Sequence, residues 1–385
     1  MATKKSKRKR RQQRNMIIAA IAVLVAIILI IVVVFVLKKN KSGNTSVVEE
    51  TAVEESSEEI LEEEEVLPTD RSYLTGLPLD EEKVSTRPIA SMIENTKESL
   101  PQYGLNDAGI IYECPVEGSY TRMMAIFDDY EDVPKIGNVR SCRDYFAYIA
   151  REYEAIYVHY GQSIYAKEGV LKSGLIDNLN GLDGEVESTV FYRTSDKAAP
   201  HNVFTNPDMI LAGVEVKGYS MEYSDDHQRH FLFTDDGETN TLEDKNGIQV
   251  HVIKPYYFYN HPYFIYNEED QKYYRYEFGK EEVDANYNTQ VAVTNVIYQF
   301  VSSSKYDATE YLNIPLVGAG SGTLFTNGKM VDIRWYKEDE TSPTRYFYTD
   351  GNEIVLNQGQ TWICLIETQY LEKNEIYTTV EEFNN

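Results

Sequence analysis

The chain has 385 residues, 42% hydrophobic and 26% charged, enough for about two globular domains beyond its N-terminal segment. Its formal net charge of −25 repels nucleic acid and anionic lipid at long range, which argues against a nucleic-acid partner. Cys114, Cys142 and Cys364 stand in none of the spacings that hold zinc, so neither a metal nor a cofactor is assigned.

Residues 1–15 form a basic tip, with Lys4, Lys5, Lys7, Arg8, Lys9, Arg10, Arg11 and Arg14 and no acid among them. From Met16 to Leu37 the chain reads MIIAAIAVLVAIILIIVVVFVL, free of charge, Pro and Gly. At a rise of about 1.5 Å per residue, such a helix spans the roughly 30 Å hydrocarbon core of a bilayer. The expectation is a single N-terminal transmembrane helix, with the tip cytoplasmic and the rest outside the cell membrane. The run is longer than a signal-peptide core, no A-x-A-like cleavage site follows it, and no Cys stands near its end. An uncleaved anchor therefore fits better than a signal peptide or a lipid anchor. Residues 38–71 are rich in Ser, Thr and Glu and include Glu62-Glu63-Glu64-Glu65. Such like charges repel one another, which predicts an acidic, disordered linker.

Residues 72–220 mix two periodicities. Arg87–Thr96 reads as a strand entering a turn, and Gly109–Glu117 and Thr121–Tyr130 as strands around Gly118-Ser119. Ser141–Ala155 has apolar residues at Tyr145, Phe146, Ile149 and Tyr153, a helical spacing. Ala155–Gly161 reads as a short buried strand, and Ser163–Leu179 as partly helical. This order predicts an α/β (or α+β) N-terminal domain. In residues 221–385, alternating runs such as YYRYEF, QVAVTNVIYQFV, MVDIRWY and TRYFYT are punctuated by Asn327-Gly328 and Asp350-Gly351. These dipeptides tolerate the positive φ of tight hairpins, so a mainly antiparallel β C-terminal domain is expected. The 31 tyrosines, against 14 Phe and 2 Trp, suit strands and partly wetted binding surfaces. Gly318–Gly322 lacks the Lys-Ser/Thr of a phosphate loop and reads as a flexible turn. Trp335 and Trp362 read as core. The cysteines are open to two readings, a Cys114–Cys142 pair or buried free thiols.

The stretches RPIASMIEN, QYGLNDAGIIYECPVEGSYTRMMAIF, IGNVRSCRDYF, VHYGQS and APHNVF resemble the YerB-like family of bacterial lipoproteins. So do NVIYQF, GSGTLFTNGK, IRWYK and LNQGQTWI in the second half. The likeness runs from about residue 72 to about 370. It implies paired N- and C-terminal domains of unknown function and a cell-envelope protein of a Gram-positive bacterium. It supplies no reaction and no catalytic residues. This chain departs from the lipoprotein pattern by its transmembrane anchor.

Chemistry is densest at Arg140-Ser141-Cys142-Arg143. If a helix starts near Ser141, its hydroxyl caps the first turn, and two guanidinium groups at a helix N-terminus form an anion site. Arg122, His159, Ser163, Arg193, His201 and Asn202 are candidates to converge on it, because strand ends and the loops after them hold ligands in α/β folds. A Ser141 or Ser163 triad with His159 or His201 lacks the G-x-S-x-G elbow. Glu113 and Glu117 point to one face only if the strand between them is unbroken, and Pro115 argues against that. A metal site from His159, His201 and Glu113 or Glu117 has no signature spacing.

The leading expectation is an extracytoplasmic binding or scaffolding protein for an anionic cell-wall polymer or precursor. Two alternatives stand beside it. One is an envelope hydrolase or transferase with His159 or His201 as general base and Glu113 as a further catalytic candidate. The other is an adaptor for an envelope protein partner.

Overall fold

The apolar strings of the first half become strands buried on both faces, as a sheet covered from two sides requires. The computed structural model describes residues 70–385. The basic tip, the expected span Met16–Leu37 and nearly all of the linker lie outside the described residues. Among the described residues no helix is long and apolar enough to cross a membrane.

The strands of the two main sheets are numbered here in chain order. The first half supplies β1 (Ile89–Asn95), β2 (Ile110–Pro115), β3 (Thr121–Phe127), β4 (Ile156–His159) and β5 (Asn178–Asn180). The second half adds β6 (Ile248–Gln249), β7 (Val252–Lys254), β8 (Tyr263–Asn267), β9 (Lys272–Glu277), β10 (Lys280–Glu281) and β11 (Ala292–Val293). It continues with β12 (Asn295–Val301), β13 (Gly318–Thr326), β14 (Lys329–Lys337), β15 (Arg345–Tyr348), β16 (Thr361–Glu367) and β17 (Glu375–Tyr377).

The larger sheet has eleven strands in the order β6-β14-β13-β12-β16-β2-β3-β1-β4-β5, with β15 paired to β14. It takes strands from both halves of the sequence. The seam is β16, which runs parallel to β12 on one side and to β2 on the other, Thr361 lying opposite both Asn295 and Ile110. The first half is mixed α/β and the second is β-rich and largely antiparallel. Strands β1, β2, β4, β5, β12 and β16 all point the same way, so their C-terminal ends share one carboxyl edge.

Helix α1 (Asp144–Glu152) covers one face, clustering Tyr145, Phe146, Ile149 and Tyr153 with Met92 and Tyr112. The other face carries the six-stranded sheet β10-β9-β8-β7-β17, with β11 on β9, and helix α2 (Pro207–Lys217). Phe264 of β8 meets Trp362 of β16 there at 5.8 Å, edge to face. Each such side chain, fully buried, contributes about 1.5–3 kcal/mol.

Between the two sheets sits a polar island. Arg275 of β9, fully buried, reaches Glu113 of β2 at 2.8 Å, contacts Glu282, and lies 4.3 Å over the Trp362 ring. Glu277 is a third buried carboxylate, 3.4 Å away. Burial raises Glu282 well above the usual carboxylate range and raises Glu277 as well.

Several local expectations change. The helix begins at Asp144, not near Ser141, because residues 141–143 are extended and Cys142 bridges to Gln162. The segment after Ser163 is partly helical as expected, with a helical run over 164–173 and none from there to residue 179. Gly318–Gly322 lies within β13 and is no flexible turn. A Cβ at Gly320 would stand 2.4 Å from Trp335 Nε1, so the glycine makes room for the indole. The Asn327-Gly328 hairpin forms with φ of 49° and 68°, and Trp335 and Trp362 are core. All three cysteines are buried and free, which settles the thiol question against a Cys114–Cys142 bond.

Candidate functional site

The apolar β1 ends in two polar residues at the carboxyl edge, and the first of them organises what surrounds it. Glu94, only 2% exposed, lies in ion-pair contact with Arg140 Nε at 3.1 Å and is hydrogen-bonded to His201 Nδ1 at 2.9 Å. A carboxylate at that depth is tolerated because a guanidinium and an imidazole nitrogen meet it. Glu117, just past β2, accepts Arg143 Nε at 2.8 Å, with NH2 on its other oxygen, a two-pronged contact. Burial opposes both charges of that pair. The mutual hydrogen bonds outweigh it, holding Glu117 below and Arg143 above their ordinary values.

Arg122 opens β3 between these pairs and differs from them. Its NH1 donates to the Ser141 carbonyl at 2.7 Å, and among the described residues no carboxylate stands within ion-pair distance. Burial, then repulsion from Arg143 and Arg140, pulls its pKa down to about 10. Three guanidinium groups thus share two carboxylates, and the edge is locally cationic in an acidic chain.

The remaining candidates separate. Arg193 is exposed, donates to Asn202 Oδ1 at 2.9 Å and lies 4.9 Å over the Tyr160 ring. Ser141 does not cap α1; its hydroxyl donates to the Tyr160 carbonyl at 3.0 Å. Ser163 is buried and accepts the Ala166 amide at 3.0 Å, a local turn bond. His159 is fully buried, with Nδ1 2.9 Å from the Gly161 carbonyl and Nε2 3.2 Å from Asn178 Oδ1. Burial drives its pKa down to about 4, so it is a neutral structural imidazole rather than a general base. Glu113 belongs to the Arg275 island, and the strand ends at Pro115, so Glu113 and Glu117 do not flank one cleft. His201 alone keeps a free ring nitrogen, with Glu94 fixing the other, but no hydroxyl or thiol bonds to it.

The sequence reading missed Glu94, whose signal is a charge inside an otherwise apolar string. It also missed a cleft of about 450 Å³ farther along the same edge, lined in part by Tyr120, Tyr256, Phe258 and Tyr370.

Comparison with known proteins agrees with this architecture. Residues 74–220 match the N-terminal domain, and residues 248–363 the C-terminal domain, of a protein family described as of unknown function, DUF3048. The Bacillus subtilis (strain 168) protein named "Putative lipoprotein YerB" is 29% identical over 299 residues, covering 76% of this chain and 85% of that one. The crystal structure of YerB from Bacillus subtilis superposes with a TM-score of 0.68, covering 80% of this chain and 99% of that chain. The paired domains and the shared fold place this chain in the YerB-like, DUF3048 family.

Proposed function

We propose that the chain is a membrane-anchored binding protein of the cell envelope, held outside the cell by Met16–Leu37. In this reading its carboxyl-edge arginines take an anionic group, a phosphate or carboxylate of a wall polymer or precursor. The observation that carries the reading is Arg122, a guanidinium without a carboxylate beside two arginines that Glu94 and Glu117 hold in place. A fixed, locally cationic cluster at strand ends is pre-organised for an anion. The relative's printed name, a lipoprotein, supports the envelope side of the membrane.

Calorimetric titration of residues 70–385 with a poly(glycerol phosphate) fragment tests this. Binding that weakens about tenfold or more in Arg122→Gln is expected, the scale of one charged contact. No binding, or binding indifferent to Arg122, overturns the anion site. Protease added to intact cells tests the topology, which predicts digestion of the body and survival of the tip.

A second reading, an envelope hydrolase or transferase, rests on the Glu94–His201 pair, whose geometry resembles an oriented general base. It predicts turnover of wall-derived esters or amides that His201→Asn abolishes. Absence of turnover in the parent protein removes it.

A further inference from the structure

The arginines occupy the part of the carboxyl edge above β3, β1 and β4. The cleft of about 450 Å³ lies over the ends of β12, β16 and β2, a size within the range of small-ligand pockets. Its walls come from the β2–β3 connection, the segment Tyr256–Phe258, the chain after β12 and the chain after β16. None of the four arginines lines it.

Two properties set it apart from an ordinary surface dent. The first is aromatic. Phe258 is 65% exposed and Tyr120 40% exposed, and both line the cleft. Phe258 lies 6.4 Å from the His261 ring, and the tyrosines beside it are held by packing. Tyr120 meets the Tyr259 ring at 4.4 Å, and Tyr256 meets Tyr370 at 5.1 Å. Between them the buried Tyr257 hydroxyl, 3.0 Å from the carbonyls of Glu113 and Leu365, pins the loop to β2 and β16. Tyrosine rings kept partly in water and fixed in position, with Phe258 exposed beside them, form an aromatic contact surface.

The second property is a balance of charge. Lys305 pairs with Glu310, and Glu117 with Arg143. Glu367 is held by Ser303 and by Gln369 at 3.0 Å. Lys373 stands 4.6 and 4.9 Å over the Tyr256 and Tyr370 rings, so those faces already carry a cation. An anion meets carboxylates here and a cation meets lysines, so neither is favoured. Ser119, Ser303, Gln369 and Glu367 still offer a mixture of donors and acceptors.

Apolar ring faces beside uncharged and balanced polar groups match one ligand chemistry well. A sugar ring has a C–H face that packs on aromatic carbon and a rim of hydroxyls that both donate and accept. We infer that this cleft binds an uncharged saccharide chain. The site touches the arginine cluster only through Glu117, the partner of Arg143, and goes beyond the anion reading.

The test titrates the full chain, purified in detergent micelles, with two neutral probes, tri-N-acetylchitotriose and maltotriose, by calorimetry or saturation-transfer NMR. Binding of at least one at millimolar concentration is expected, weakened about tenfold or more by Phe258→Ala combined with Tyr120→Ala. Both side chains are exposed, so the variant should keep the parent melting temperature. Arg122→Gln should bind the neutral probes as the parent does, which separates this site from the anion site. Failure of both probes, binding unchanged in the aromatic variant, or loss of binding in Arg122→Gln would each overturn the inference.

Discussion

Two clusters among the described residues gather several buried guanidinium and carboxylate groups, and they are built on opposite plans. At the carboxyl edge three arginines share two carboxylates, and Arg122 has none of its own. In the island between the sheets one arginine faces three carboxylates, and every member is sealed from water. The edge keeps its excess charge: Arg122, lowered to about 10 by burial and then by Arg143 and Arg140, stays protonated at neutral pH, and only the Arg140 and Glu117 side chains reach solvent in part. The island resolves its excess by holding protons, with Glu282 raised well above its usual range by burial. A cluster that can neutralise itself is a structural joint, here between β2 of the first half and β9 of the second. One that cannot is open to an outside partner.

The sharpest way to break this comparison is Arg275→Met. It strands Glu113, Glu277 and Glu282 in the core, and denaturant unfolding should show a loss of about 3–5 kcal/mol. Loss of under about 1 kcal/mol would mean that the island is not a joint.

Acid titration is next in size. His159 unfolded takes a proton at 6.5, but folded only near 4, so the unfolded state binds more protons between those values. Stability should therefore fall as pH drops from 6.5 toward 4, by about 3 kcal/mol at full extent. His159→Gln should flatten that slope. The island has the opposite sign. Folded Glu282 keeps a proton that the unfolded chain releases above 4.5, so its contribution is lost as pH rises beyond 4.5. Glu282→Gln should remove that loss.

Smaller effects belong to the edge. Arg140→Ala leaves Glu94 with His201 alone and should cost about 1–2 kcal/mol in thermal or denaturant unfolding. Arg122→Gln removes a charge that has no carboxylate in direct contact and that two neighbouring arginines repel, so stability should stay within about 1 kcal/mol of the parent while anion binding weakens about tenfold or more. A large destabilisation would make Arg122 a second structural joint.

Much of the fold was legible in local pattern. Strands β1, β2 and β3 announce themselves as apolar strings, α1 by its 3.6-residue period, and the β13–β14 hairpin by Asn327-Gly328. The shared sheet was not legible, because β16 finds β2 across most of the chain and no local signal records a parallel pairing between distant strands. The alternation in β9 was readable, but not the identity of its inner side chains. Arg275 and Glu277 face inward while Tyr274 and Tyr276 are only half-buried, since Glu113 on the opposing sheet supplies the countercharge. At the edge, Arg122, Arg140 and Arg143 do come together. His159 and Ser163 do not join them, because their burial depends on the segments around Gly161, Asn178 and Ala166 closing over them.

The most direct measurement follows the side-chain Nε–Hε signals of arginine-labelled residues 70–385 during titration with inorganic phosphate. The account predicts that the Arg122 signal shifts in a saturable way, with Arg140 and Arg143 following and Arg275 unmoved. A stationary Arg122 signal, or one that moves no more than Arg275, would contradict it.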